Sequence, residues 1–216
     1  SDNLSSFNND LESKIPFSRC TYCNLIFQNP LPSENQLHNH YLSYHESKVR
    51  TDPNLLSARN SAYKQDIELL IKSLSLISLS LSDFSSVFDY GASTGLYLDQ
   101  FKKNNLRVYG WDYGEGATAY LQSKNYYYDL WNNDSDSMIF DLLTMRGVIE
   151  HIRDPFTIVP QILSNIAPKC VYISATPNGS STACQIYREN WKMHVPMEHL
   201  WHFSPHHIIQ LLSHSN

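Results

Sequence analysis

Three groups of residues in this sequence have the types and spacing for chemistry. The first is Asp89-Tyr90-Gly91-Ala92-Ser93-Thr94-Gly95, an acid followed by two glycines that bracket three small residues. Such a turn lets backbone approach a ligand closely, and a helix starting behind it turns its N–H groups toward the same place. A second acid, Asp112, stands 23 residues after Asp89. An acid about 20 residues beyond a glycine turn is where a doubly wound sheet keeps its acceptor for a ribose diol. The second group is Glu150-His151 with the later His199 and His202. A neutral imidazole accepts a hydroxyl proton around neutral pH, and a carboxylate next to it can orient the ring. The third is Cys20-Thr21-Tyr22-Cys23, which puts two thiolates on one turn, half of a tetrahedral zinc site. No Cys or His precedes Cys20. The knuckle therefore reads as a β-turn that holds no metal.

The elements around these residues alternate strand and helix. Strands are expected at 85–90, 106–112, 126–129, 138–146 and 170–175, with a turn at 134–137. The run at 138–146 is almost continuously apolar, as a strand buried on both faces should be. Helices are expected at 95–104, 115–124 and 155–166, the last capped by Asp154 with Pro155 at its first position. Ser204 and Pro205 start a final helix in the same way. Ile67, Leu70, Ile71 and Leu74 fall at helical spacing within 56–77, and Ser33 opens an earlier helix. The Ser/Leu alternation from Ser73 to Ser82 suits a strand or a frayed helix end equally. This alternation of elements predicts an α/β fold, a doubly wound and mostly parallel sheet. It occupies 51–216, with a small appendage at 1–50 whose first 14 residues are polar and expected to be poorly ordered.

Composition narrows the function. A chain of 216 residues with 42% hydrophobic content can build a full core. No apolar run approaches the roughly 20 residues that span a bilayer, so no membrane partner is expected. A net charge of −5 argues against nucleic acid, which a basic stripe would serve. The first residues are polar and acidic rather than signal-like, and four cysteines without framework spacing suit a reducing compartment. The expectation is a cytoplasmic enzyme.

The segment from Asp89 to Gly95 resembles motif I of class I S-adenosylmethionine-dependent methyltransferases, with Ser93 where the middle glycine usually stands. Val148-Ile149-Glu150-His151-Ile152-Arg153-Asp154-Pro155 resembles the LEHxxDP segment of one branch of that family. Ala175-Thr176-Pro177-Asn178 is similar to its TPN strand end, and Glu198-His199-Leu200-Trp201-His202-Phe203-Ser204-Pro205 to its EHLxHFSP entry to a late helix. The segment after Cys20 resembles the CxxC leader found before many such enzymes.

The resemblance implies a Rossmann-like fold and S-adenosylmethionine as cofactor. Asp89 and the backbone of Gly91, Ala92, Ser93 and Gly95 would hold its methionine part, and Asp112 its ribose. Trp111 or Tyr113 would flank the adenine, Met145 would line the site from the fourth strand, and Asp129 is either an acceptor for the adenine amine or a solvated strand-end acid. His151 is the expected base, Glu150 its orienting neighbour and His202 its rival. Arg146 and His199 are assigned to a small-molecule acceptor such as a sugar, phenol or natural-product intermediate, and O-methylation is expected. Tyr41 and Tyr44 stand either in a lid over the cofactor or as ordinary half-buried tyrosines. In metal-dependent relatives the motif reads E-x-x-E-H and holds magnesium. Gly147 takes the first position in this chain, so no metal ligand is assigned. Family members usually add two strands after the last helix. Their absence before Asn216 is read as truncation, a missing sheet edge, or completion by a second copy or partner. The competing reading is a non-catalytic methyltransferase-like domain that pairs with another subunit.

Overall fold

The computed structural model describes residues 4–6, 17–45, 53–132 and 139–213. In chain order these form β1 (Leu4–Ser6), β2 (Phe17–Cys20), β3 (Ile26–Gln28), α1 (Glu34–His45) and α2 (Pro53–Leu76). There follow β4 (Ser86–Tyr90), α3 (Leu96–Lys103), β5 (Arg107–Trp111), α4 (Glu115–Ser123), β6 (Leu142–Arg146) and α5 (Pro155–Ile166). The chain continues through β7 (Cys170–Ser174), α6 (Thr182–Tyr187), β8 (Trp201–His202) and α7 (Pro205–Ser213). Two compact units emerge, one of residues 39–146 and 162–174, the other of 1–38, 147–161 and 175–216. These units cut across a boundary at residue 50, because β3 pairs with β8, far along the chain.

The larger unit carries a four-stranded sheet in the order β5-β4-β6-β7, every pair parallel. Val87, Phe88, Leu142, Leu143 and Met145 are fully buried in it. Ile67, Leu70 and Leu74 of α2 join Leu98 and Phe101 of α3 in the same core, as the helical spacing in 56–77 predicts, whereas Ile71, expected with them, is exposed. Ser33 caps α1 through its hydroxyl, which accepts the Gln36 N–H at 3.3 Å. The alternation at 73–82 resolves as the end of α2 followed by a short 3-10 turn at Leu81–Asp83.

Two expected strands are shorter than the sequence suggests. Residues 126–129 make only one parallel bridge, Gly110 to Tyr127. The chain then turns on Asp129, whose carboxylate accepts the N–H groups of Trp131 and Asn132 at 3.0 and 3.2 Å, and the ladder stops there. The fourth strand begins at Leu142 rather than 138; the turn at 134–137 and Met138 lie outside the described residues.

The smaller unit holds an antiparallel sheet in the order β1-β2-β3-β8. Leu4–Ser6 is therefore a paired strand, contrary to the expectation of disorder across residues 1–14, and the remainder of that stretch is outside the described residues. Cys20 ends β2 and Cys23 sits on the turn that follows, both as free thiols. The N–H groups of Cys23 and Tyr22 point at the Cys20 sulfur and hold its thiol below the usual range.

Gly110 in β5 sits at a tight joint of the larger unit. A Cβ there would stand 2.7 Å from Ala92 Cβ and 2.9 Å from Leu98 Cδ1. Gly110→Ala forces β5 away from the Ala92 loop and should destabilise the fold by about 1–3 kcal/mol, the usual cost of overpacking. Urea unfolding with an unchanged midpoint would contradict this packing.

Candidate functional site

The glycine loop lies at the C-terminal end of β4, the edge where parallel sheets bind ligands. Its backbone is left-handed at three positions, Gly91 (φ 80°), Ser93 (φ 50°) and Gly95 (φ 70°). Ser93 thus adopts left-handed backbone, which favours glycine. The end of β5 holds this bend in place. The Trp111 carbonyl accepts the N–H groups of Gly91 and Ala92 at 2.8 and 3.0 Å, and the Asp112 carboxylate accepts that of Ser93 at 2.7 Å. The other Asp112 oxygen takes the Gly114 N–H at 3.1 Å. Asp112 is therefore part of the loop's own framework, a role the 23-residue spacing alone does not reveal.

Asp89 is buried, and Thr144 Oγ1 donates to it at 2.7 Å. Burial pushes its carboxyl up to about 7, the Thr144 hydroxyl pulls it back, and the Asp112 charge raises it again. Thr144 carries no motif signal, since it belongs to the apolar run of β6 and meets Asp89 only through strand pairing. Around Asp112 lies an aromatic group: Tyr90 stacks on Trp111 with centroids 4.9 Å apart, and Trp131 stands edge-on 6.0 Å from Trp111. Tyr113 is exposed. One Trp111 face lies against Tyr90, and Tyr113 is the more exposed of the two residues expected beside adenine. Asp129 is held below the usual carboxylate range, first by the Asn132 side chain. Met145 is fully buried, so it can offer a ligand backbone but no side chain.

Arg146, at the end of β6, is already engaged. Its Nε donates to Asp66 at 3.0 Å, and its guanidinium lies 4.7 Å from the Tyr63 ring centroid. Asp66 also accepts the Ser174 hydroxyl at 2.7 Å. The sequence reading missed Asp66 and Tyr63 because both lie on α2, where they fit an ordinary helix pattern.

The smaller unit collects the histidines. Glu150 and His151 lie on a 3-10 turn at Ile149–His151, with His151 Nε2 3.7 Å from Glu150 Oε1. The Leu200 N–H donates to the Glu150 carbonyl at 2.8 Å, which brings His199 alongside; the His151 and His199 ring centroids are 5.1 Å apart. Glu150 is buried, which pushes its carboxyl up to about 7. His202 behaves differently from the role expected of it. It is 0% exposed in β8, packed against Phe17, Trp191 and His194, and burial holds its imidazole down to about 3. That placement makes His202 a neutral core residue rather than a rival base. Tyr41 is half-buried beside His40, and the Tyr44 side chain is outside the described residues.

The left-handed loop, the acid at the end of β5 and the exposed aromatic beside it suit a nucleoside-containing cofactor. The comparisons agree with this arrangement. A family model described as a methyltransferase domain matches residues 62–216. The plantazolicin methyltransferase BpumL, solved with a triazolic desmethylPZN analogue and S-adenosylhomocysteine, is similar at TM-score 0.52 and 15% identity, over 84% of this chain and 77% of that one. Magnesium protoporphyrin IX methyltransferase from Synechocystis, with bound S-adenosylhomocysteine, is similar at TM-score 0.57 and 13% identity, over 82% and 88%. A Thermotoga maritima methyltransferase gives TM-score 0.51 and 14% identity, over 83% and 79%. No curated protein matches the sequence. A family model that covers residues 62–216, on a parallel sheet with this loop, makes the chain a member of the methyltransferase-domain family, a Rossmann-like enzyme that uses S-adenosylmethionine.

Proposed function

We propose that the chain transfers the cofactor's methyl group to an oxygen of a small molecule. The observation that carries this reading is the loop of Gly91, Ser93 and Gly95, bent into left-handed backbone and pinned by Asp112. The backbone of Gly91, Ala92, Ser93 and Gly95, with Asp89, would receive the methionine part. The ribose would meet the carboxylate of Asp112, next to the loop it pins. Tyr113 would cover the adenine, and Asp129 would accept from its amine. Plantazolicin and magnesium protoporphyrin IX, the compounds named for two similar enzymes, support a small-molecule acceptor.

Methyl transfer from a sulfonium is an in-line displacement. The acceptor oxygen forms a bond to the methyl carbon while the carbon–sulfur bond breaks, and its electron pair stays on sulfur. The protein's work is orientation and, for a hydroxyl acceptor, removal of its proton. His151 would take that proton, oriented by Glu150, with His199 beside the acceptor. Arg146, aligned by Asp66, would meet a phosphate or carboxylate on the acceptor.

Asp112→Ala removes a charged acceptor and the loop's anchor together. Its affinity for S-adenosylhomocysteine should fall by roughly 2–3 kcal/mol. Calorimetry giving the wild-type constant would sink the ribose assignment. In His151→Ala, turnover should drop by roughly 10²–10⁴ with cofactor affinity retained. Full turnover in that variant, in a screen of hydroxyl acceptors, would remove His151 from the chemistry.

A further inference from the structure

The four cysteines of the chain fall into two environments. Cys170 is half-buried in β7 and Cys184 is buried, and burial pushes both thiols up. A thiol raised in this way stays protonated and inert. Cys20 instead ends β2, and Cys23 stands exposed on the turn that leads to β3. Tyr22, between them, is 91% exposed, so the tip of this turn is open to small molecules in solution.

Both ends of the turn are fixed by bonds that leave the sulfurs alone. The Cys20 N–H donates to the Leu25 carbonyl and the Cys20 carbonyl accepts the Asn24 N–H, each at 2.9 Å. Asn24 turns the chain back with left-handed backbone, φ 65°. At the other end, His207 Nε2, in the first turn of α7, lies 2.8 Å from the Cys23 carbonyl oxygen. That oxygen can only accept, so Nε2 carries the hydrogen. Nδ1 is bare in this tautomer and takes the Ser204 N–H at 3.0 Å. The two cysteines are thus anchored separately, one by the β2–β3 ladder and one by α7.

The pair is arranged around one sulfur. The Cys23 N–H, the Tyr22 N–H and the Cys23 thiol all point at Cys20 Sγ and hold its thiol below the usual range. Donors aimed at a sulfur stabilise negative charge on it, and the thiolate is the nucleophile of thiol chemistry. The second thiol already stands beside the first, as the closing step of a disulfide exchange needs.

We propose that Cys20 and Cys23 form a thiol–disulfide exchange site that takes a small-molecule disulfide as its oxidant. The Cys20 thiolate attacks one sulfur of that disulfide. A mixed disulfide forms, and the other half leaves as a thiolate. Cys23, deprotonated, then attacks Cys20 Sγ, so the Cys20–Cys23 bond closes and the second half leaves. Two protein thiols are oxidised, the small disulfide is reduced to two thiols, and the cysteines' two protons pass to them through solvent. Excess small thiol reverses both steps, because an exposed disulfide is of the labile, exchangeable kind.

The test incubates the full chain, with a chelator present, in glutathione buffers of graded oxidised-to-reduced ratio. Samples are acid-quenched, alkylated and digested with trypsin for mass spectrometry. The peptide from Cys20 to Lys48 holds no other cysteine, and the peptide from Cys170 to Arg188 holds the remaining two. In the parent the first peptide should reversibly lose two hydrogens and both alkylation sites, while the second keeps both of its alkylated thiols. Cys23→Ser should stop with glutathione bound to Cys20, since no second thiol releases it. Cys20→Ser should capture glutathione at Cys23 roughly tenfold more slowly or worse. Thermal unfolding checks each variant, and the alanine variant replaces a serine variant that does not fold. Two alkylated thiols in the first peptide under excess oxidised glutathione would overturn the site. So would a mixed disulfide that persists in the parent, or equal capture rates in the two variants.

Discussion

The hydrogen bond from the Ser93 N–H to Asp112, at 2.7 Å, is the contact on which the shape of the glycine loop turns. Left-handed backbone at a non-glycine residue is unfavourable by itself, and it persists where the surroundings over-determine it. At Ser93 that work is shared by a carboxylate and by the Trp111 carbonyl, which holds the two preceding N–H groups. Both come from the end of β5. The loop's shape is therefore a consequence of β4 and β5 lying in parallel register, Tyr90 beside Trp111. It also depends on Gly110, since a side chain there would strike Ala92 and Leu98.

Burial then sorts the acids by task. Asp89 is enclosed and its carboxyl is pushed up to about 7, while Asp112, half-buried, accepts two backbone N–H groups at the rim. Asp66 is also enclosed, but the Arg146 guanidinium and the Ser174 hydroxyl meet it, so it acts as a clamp between α2 and the ends of β6 and β7. Each of these acids stands at or against a strand end, where a parallel sheet leaves its loops free to diverge.

The smaller unit uses histidine in two ways. His202 and His194 are packed with Phe17 and Trp191, and serve as aromatic core with a polar edge. His151 and His199 remain partly exposed beside a buried carboxylate. Four residues of the same type, close in sequence or space, thus separate into buried filling and partly exposed positions according to what surrounds them. The Met193 carbonyl links the two pairs by taking a ring N–H from His199 and another from His202.

The sequence by itself determined the parallel sheet, the glycine loop and the acid beyond it, because each depends on local rules. Buried strands need apolar runs, left-handed turns need small residues, and helix starts need caps. It also located Glu150 and His151 directly after a strand. Only the tertiary structure decided which side chains meet. Thr144 reaches Asp89 through strand pairing, Asp66 reaches Arg146 from a helix some 80 residues earlier, and Leu200 carries His199 to Glu150. It also decided that His202 is core and that 126–129 makes one bridge instead of a strand. Such outcomes depend on burial and on register between distant segments. Residue type and spacing encode neither, because the free energy of a buried polar group is set by whatever partner the fold brings to it.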